Sequence, residues 1–227
     1  MSIERESLLK PLLQVGIPTP SREEFANALT HGAGAVAAAI GGVVLASMAA
    51  RHGNAWQLAG AIVFGASLVL LYVASTLYHA STDAVVRGRY KVFDHCAIFV
   101  LIAGTYTPFT LVGLRGDGGW KLFAVVWTLA VAGVVFKLFF TGRFKGVSTA
   151  IYLGMGWMVL TAVGPFLRNV SPATIAWLLA GGVAYSLGTV FYMSRRIPYA
   201  HAIWHGFVLL GSICHFVAVT QEVTRQL

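Results

Sequence analysis

The sequence contains little charge and no long polar segment. Asp, Glu, Lys and Arg make up only 11% of its 227 residues, whereas 57% are hydrophobic. Soluble domains carry roughly a quarter charged residues, and a water-soluble core cannot absorb this much apolar surface. The composition therefore excludes a soluble enzyme domain and indicates one membrane domain preceded by a short tail.

The sequence also lacks the signs of a secreted, disulfide-bonded protein. Residues 1–20 have no basic head followed by an apolar core and a small-residue cleavage site, so we expect no cleaved signal peptide. Its two cysteines, Cys96 and Cys214, both lie in apolar runs, where free cysteine behaves as a small hydrophobe. We predict no disulfide, an N-terminal tail at 1–20 and a membrane domain at 21–227.

Apolar runs of roughly twenty residues, the length that crosses a bilayer as a helix, recur along the chain. There are seven of them, at 31–50, 56–79, 93–113, 120–140, 147–167, 172–193 and 199–221. Short segments with charges and turn residues separate them, so neighbouring helices must be antiparallel. The prediction is an all-α, polytopic bundle of seven transmembrane helices.

The basic residues predict the orientation of this bundle. One face would carry eleven of them: Arg5, Lys10, Arg22, Arg87, Arg89, Lys91, Lys137, Arg143, Lys145, Arg195 and Arg196. The other face would carry five: Arg51, Arg115, Lys121, Arg168 and Arg225. Because cytoplasmic loops hold the excess of Lys and Arg, we place the N-terminus inside and the C-terminus outside a plasma membrane. The net charge of +8 is scattered over short loops, so we do not expect nucleic acid as a partner.

Histidines concentrate at the helix ends that this topology places on the cytoplasmic face. His79 ends the second run, whereas His201 and His205 stand four residues apart at the start of the seventh. Ser75 lies one turn before His79, and Asp94 begins the third run. Ionisable groups are costly in a membrane, so each needs a partner or a function.

Three imidazoles around an open fourth position are typical of a catalytic zinc site. We predict His79, His201 and His205 as metal ligands. Asp94 would orient or deprotonate the water that completes the site, and Ser75 would bond that water or hold a ligand ring.

Several of these histidines have competing interpretations. A single histidine in a membrane helix more often makes a packing hydrogen bond than binds a metal. His95 points about 100° away from Asp94 around its helix and is an alternative ligand. His215 lies about 15 Å along the helix from His205 and is too far for the same ion. His52 falls in a loop on the opposite face, where we expect it to be solvated.

A further polar set lies on one face of the first helix, at Glu24, Asn27 and His31. We expect these residues to support the metal ligands. Ser21 and Glu24 also form a capping-box pattern, and for Glu24 itself we favour capping over site chemistry. Interhelical hydrogen bonds would account for Asn27 and His31 as well as site chemistry does.

In order along the chain, these motifs resemble those of the bacterial hemolysin III family. They are Glu24, Asn27 and His31, then ASTLYH at 74–79, DHCAIFVLIAGTYTPF at 94–109 and HAIWHGFVLLGSICHF at 201–216. That family is related to the progestin and adipoQ receptors, which include the adiponectin receptors, and more distantly to alkaline ceramidases. In adiponectin receptors the matching histidines bind zinc beside an aspartate. The resemblance thus implies seven helices and Zn²⁺ at His79, His201 and His205 with Asp94 nearby.

Three functions fit the sequence. The first is a zinc-dependent intramembrane hydrolase of lipid amides or esters, acting in membrane lipid homeostasis. The second is a regulator or sensor of membrane fluidity or energetics with structural zinc, and the third is a pore-forming cytolysin or transporter. Membrane lipids are the expected partners in the first two, and substrate identity is not encoded in any recognisable motif.

Overall fold

Seven helical spans form the part of the protein that the structure describes, as the sequence predicted. The computed structural model describes residues 21–225, which contain helices and no strands; the predicted tail at 1–20 lies outside this range. The α-helices are α1 Arg22–His52, α2 Ala55–Ala80, α3 Ala84–Leu111, α4 Gly119–Phe140, α5 Lys145–Gly156, α6 Val163–Asn169, α7 Pro172–Met193 and α8 Ala200–Val223. The all-α, seven-span prediction is therefore confirmed, whereas its inside-outside orientation stays a prediction.

Two helices begin earlier than the apolar runs suggested. Both α1 and α3 begin nine residues before the predicted spans at 31 and 93. The added segments carry several charged residues, so hydropathy does not detect them, but side-chain caps mark where the helices start. Ser21 accepts a hydrogen bond from the Glu24 backbone N–H, and Asp83 accepts two from the first turn of α3. These polar turns place additional side chains at one end of the bundle.

The fifth span is interrupted rather than continuous. The chain runs from α5 into a 3₁₀ segment, Trp157–Ala162, and then into α6. The Tyr106 hydroxyl of α3 reaches this break, where its one proton is shared between the carbonyls of Met155 and Gly156 and its oxygen accepts from the Val159 N–H. Backbone groups in a bilayer must be satisfied by protein when the helical ladder fails. Tyr106 performs that role here.

The first and last spans pack together, and this contact closes the bundle. Helix α8 contacts α1, α2, α3 and α7, whereas α5 makes only sparse contacts with α3 and α7. Helices α2 and α3 approach so closely that a Cβ on Gly60 would lie 2.8 Å from the Pro108 Cα. Large apolar side chains such as Val43, Phe139 and Leu167 remain exposed on the outside, as a lipid environment requires.

Hydrogen bonds between polar side chains join two segments at the end of the bundle opposite the histidines. Asp117, between α3 and α4, accepts hydrogen bonds from Arg168 at 2.8 and 3.1 Å and from Asn169 at 2.9 Å. The Arg168 guanidinium holds the pKa of this exposed carboxyl below its usual range. These hydrogen bonds attach the end of α6 to the α3–α4 loop.

Candidate metal centre

Three histidines from two helices meet at one end of the bundle. His79 is the penultimate residue of α2, and His201 and His205 occupy the first turns of α8. One ring nitrogen of each lies within 4.8 Å of those of the other two. The i, i+4 spacing puts the two α8 rings on one face, with ring centroids 4.7 Å apart, and helix packing brings His79 to 5 Å from them. The structure therefore assembles the predicted trio as a group that could hold a metal ion.

His79 shows the arrangement of a ligand held by a carboxylate. Its Nδ1 lies 2.6 Å from Oε2 of Glu24, and its Nε2 is buried without a hydrogen-bond partner among the described residues. A carboxylate at Nδ1 favours the tautomer that carries its proton there, which leaves the Nε2 lone pair free. A buried imidazole nitrogen with no protein partner fits a metal ligand, because an unpaired polar atom is otherwise costly. The residues present therefore fit a bound divalent ion.

Glu24 connects this histidine to a third helix. Its other carboxylate oxygen accepts from Nη2 of Arg87 in α3 at 2.6 Å. The sequence interpretation favoured helix capping for Glu24, and that preference was wrong for its side chain. Ser21 caps the backbone N–H of Glu24, while the carboxylate turns inward to His79 and Arg87. The carboxylate faces His79 and Arg87 because it gains two charge-assisted hydrogen bonds in that position.

His205 is held by the first helix. Its Nδ1 lies 3.3 Å from both the Asn27 carbonyl and the Thr30 hydroxyl. The side-chain oxygen of Asn27 is itself buried without a partner among the described residues. Asn27 thus supports the cluster through its backbone, a role that its side-chain type could not have predicted.

Ser75 and His31 form a pair beside the cluster. The Ser75 hydroxyl lies 2.7 Å from Nδ1 of His31, and the His31 ring stacks on His205 with centroids 3.5 Å apart and planes 8° from parallel. The ring that Ser75 holds is therefore His31 and not one of the three clustered histidines. Its predicted contact with the water of the site stays a prediction.

Asp94 is not among the residues grouped with the three clustered histidines. One of its carboxylate oxygens lies 3.5 Å from Nδ1 of His95, and the carboxylate is within electrostatic range of Ser75 and His79. Its expected place beside the metal ligands stays a prediction. Whether Asp94 acts on a water in the site stays a prediction.

Comparison with known proteins places these residues in a family. Residues 20–216 match the family described as Haemolysin-III related. The chain belongs to that family. It is 47% identical to the "Hemolysin-3 homolog" of Bacillus subtilis (strain 168) over 198 residues, covering 87% of this chain and 93% of the relative. It is 45% identical to the "Hemolysin-3" of Bacillus cereus, covering 87% and 90%. The "Monocyte to macrophage differentiation factor" of Homo sapiens is 28% identical over 211 residues, covering 89% and 85%. The resemblance drawn from the motifs is confirmed.

The remaining histidines of this haemolysin-III related chain lie outside the cluster. Nδ1 of His95 lies 2.8 Å from the backbone carbonyl of Lys91 and is not grouped with the other three rings. His215 bonds to the Leu178 carbonyl, deep between α7 and α8, and His52 is exposed at the opposite end. Their positions agree with the exclusion of His215 and His52, and the alternative ligand His95 is not brought to the site.

An apolar cavity opens beside the cluster, and sequence reasoning missed it. It has a volume of about 330 Å³ and runs between α3, α5, α7 and α8. Tyr192 and Trp204 line it near the histidines, and the Tyr192 ring centroid is 6.0 Å from that of His201. Tyr185 and His215 line it farther along. The wall combines residues from distant parts of the sequence, so no local motif marks the cavity.

Arg87 and Thr30 were also missed as members of the site. The sequence analysis counted Arg87 only as a loop charge, although it lies inside α3, one turn from the helix start. One signal was available: an acidic residue in the first turn of α1 predicts a basic partner at the same end of the bundle. Thr30, three residues after Asn27, shares the inward face of α1 and could have been found by that periodicity.

Proposed function

We propose that this protein is a zinc-dependent intramembrane hydrolase that cleaves lipid amides or esters at the inner leaflet of a bacterial plasma membrane. The juxtaposition of three convergent histidines with an apolar cavity carries the proposal. A site with three protein ligands leaves a position for water or substrate, and a cavity almost without polar atoms suits an acyl chain. Membrane lipids are the proposed substrates, and membrane lipid homeostasis is the proposed setting.

In this proposal each residue has a defined part. His79, His201 and His205 hold the ion, which when bound supplies the Lewis acidity that polarises a carbonyl and activates water. Glu24 keeps His79 in the tautomer that presents Nε2, and Arg87 holds Glu24 in place. Asp94, beside His79, accepts the proton of the attacking water and returns it to the leaving group. The cavity beyond Tyr192 binds the acyl chain and excludes water.

The test combines metal analysis with turnover by purified protein in a mild detergent. The wild type should contain about one zinc per chain and release fatty acid from a bacterial total lipid extract. Changing His201→Ala should remove both zinc and turnover. Changing Asp94→Asn should keep the zinc but slow turnover by roughly 10² to 10⁴, the range typical of a lost general base.

The matched control is His52→Ala, which removes an exposed histidine at the opposite end of the bundle. This variant should match the wild type in both measurements. Wild-type protein without metal, or Asp94→Asn protein with unchanged turnover, would contradict the proposed hydrolase.

A second candidate is a non-enzymatic regulator in which zinc is structural. One observation favours it: the site joins four helices, since Glu24 of α1, His79 of α2, Arg87 of α3 and His205 of α8 are linked through it. Under this alternative, chelation lowers the thermal stability of the protein and Asp94→Asn leaves function intact. Stable, zinc-loaded protein without any lipid turnover would favour it over the hydrolase.

A further inference from the structure

Positively charged side chains lie near Tyr192, at the end of the bundle that holds the histidine cluster. Lys145, the first residue of α5, donates from Nζ to the Tyr192 carbonyl at 2.6 Å. The same ammonium stands 3.9 Å from the centroid of the Tyr192 ring. Lys145 is thus held in one place by a carbonyl and an aromatic face, although the residue is otherwise exposed.

Tyr192 lies between the Lys145 ammonium and the other residues of the site. The tyrosine ring lies 6.0 Å from His201 and 5.4 Å from Trp204, and it forms part of the cavity wall. Tyr192 therefore contacts the Lys145 ammonium and lines the apolar cavity, and its ring lies near one candidate metal ligand, His201. A molecule with an acyl chain in the cavity and a carbonyl at the histidines would have its remaining end near Lys145.

Two more basic residues lie at this end of the bundle. Arg195 follows Tyr192 by three residues, just after α7 ends at Met193, and Lys91 lies in the first half of α3. Both are within electrostatic range of Lys145. The Lys91 ammonium also lies beside Gly142 of the α4–α5 loop. We refer to Lys91, Lys145 and Arg195 as the cationic rim. It combines residues from three separate parts of the chain, so it is built by the fold.

The rim lacks neutralising partners among residues 21–225. Asp94 lies within electrostatic range of Lys91, but no described carboxylate comes within 4.0 Å of any of the three rim cations. Two other basic residues do have such a partner: Arg87 is paired with Glu24, and Arg168 with Asp117. Like charges held together without a carboxylate create a positive potential that attracts an anion.

We infer that the cationic rim binds the phosphate of a lipid headgroup that carries a net negative charge, so that the substrates are anionic phospholipids carrying an ester or amide-linked acyl chain. The inference rests on the proposed function and completes its site. The cavity would bind the acyl chain, the histidines would lie at the carbonyl and the rim would bind the phosphate. Lysine and arginine near a membrane surface each contribute measurably to the binding of anionic lipids. The rim differs from a diffuse basic surface because Lys145 is fixed against Tyr192.

The test measures lipid binding separately from turnover. Purified protein in a neutral detergent is titrated with diether phosphatidylglycerol and diether phosphatidylcholine, which cannot be hydrolysed, and bound lipid is counted by native mass spectrometry. The wild type should bind the phosphatidylglycerol analogue at least tenfold more tightly. Lys145→Gln and Arg195→Gln should each reduce that preference about fivefold, the effect typical of losing one cation near an anionic lipid.

Lys121→Gln is the matched control, because it removes one positive charge near the start of α4, at the opposite end of the bundle. It should leave the preference unchanged. Arg195→Gln guards against misfolding of the Lys145 variant, since the Arg195 side chain makes no hydrogen bond to another described residue. Equal wild-type affinity for the two lipids, or equal loss in the Lys121 and rim variants, would overturn the inference.

Inorganic phosphate separates the two sources of the anion. It should compete weakly, because it lacks the acyl chain that the cavity binds. Full displacement of the lipid by millimolar phosphate would show a site for free phosphate and overturn the lipid assignment. The two proposals fail separately: phosphatidylglycerol preference without any lipid hydrolysis contradicts only the proposed function, and hydrolysis without headgroup preference contradicts only the rim.

Discussion

His79 divides its two ring nitrogens between two kinds of partner. Nδ1 faces the Glu24 carboxylate at 2.6 Å, and Nε2 is buried without a protein hydrogen bond among the described residues. One ring nitrogen of His79 lies within 4.8 Å of those of His201 and His205. Carboxylates placed in this way fix the ring orientation and raise the basicity of the free nitrogen. Glu24 is therefore the residue whose removal should weaken metal binding without removing a ligand.

We predict that Glu24→Gln lowers zinc affinity by about 10- to 100-fold, the usual cost of losing such a carboxylate. Glutamine keeps the size of the side chain but loses its charge, so both His79 and Arg87 lose an ionic partner. Competition with a chelator of known affinity measures the change in purified protein.

Glu23→Gln provides the control, because it makes the same chemical change one residue earlier, where the carboxylate forms no ion pair with a described residue. Its zinc affinity should equal that of the wild type. If both variants lose zinc affinity equally, Glu24 contributes only general negative charge.

His31 makes an interhelical hydrogen bond and also contacts the histidine cluster, the two roles that the sequence analysis had weighed against each other. Its Nδ1 makes an interhelical hydrogen bond to Ser75, as the structural interpretation expected. Its ring also covers His205 face to face, and its Nε2 is buried without a partner among the described residues. His31 therefore packs against the cluster, and the Ser75 hydroxyl contacts its ring.

The fifth span depends on a contact from another element. Between α5 and α6 the α-helical hydrogen bonds give way to a 3₁₀ segment, and one hydroxyl from α3 serves the backbone groups at the break. The interruption lies next to the cavity, which both Tyr106 and Trp157 line. The break therefore shapes the wall of the acyl-chain site that we propose.

We predict that Tyr106→Phe destabilises the protein by about 1–3 kcal/mol, the cost of leaving buried polar groups unsatisfied. The Val159 N–H would lose its acceptor, and two carbonyls would lose their donor. Reversible unfolding in mixed detergent and denaturing-detergent micelles measures this free energy.

Tyr90→Phe is a suitable comparison, since the Tyr90 hydroxyl forms no hydrogen bond with another described group. It should change the free energy of unfolding by less than about 0.5 kcal/mol, as surface substitutions usually do. Equal stability of the two variants would show that Tyr106 does not support the break.

At the scale of the whole molecule, the distribution of Lys and Arg predicts which way the site faces. From the eleven-to-five asymmetry we expect the histidine cluster and the cationic rim to face the cytoplasm. Lipids of the inner leaflet would then reach the site directly.

Labelling of single cysteines tests this orientation. With Cys96 and Cys214 replaced by alanine, Arg115→Cys should react with a membrane-impermeant maleimide in intact spheroplasts. Arg195→Cys should react only after permeabilisation, because it lies at the other end of the bundle. The reverse pattern would contradict the predicted orientation and place the cluster outside.

The sequence by itself determined the architecture of this protein. A run of about twenty apolar residues can cross a bilayer only as a helix, because every backbone polar group must be satisfied there. Periodicity along one helix was also sufficient to place His201 and His205 on one face, since their relation is local. His79 was expected near these two histidines because antiparallel neighbouring spans place all three residues at the same depth in the membrane.

Only the tertiary structure decided which partners those residues meet. The rotation of each helix about its axis determines these partners. It directs the Glu24 carboxylate to His79, stacks His31 on His205 and forms the cavity beside Tyr192. Packing between residues far apart in the chain determines that rotation, and apolar spans rich in small residues do not reveal it in their sequence pattern. The same holds for the cationic rim, whose members look like ordinary loop charges until the fold places them around Tyr192.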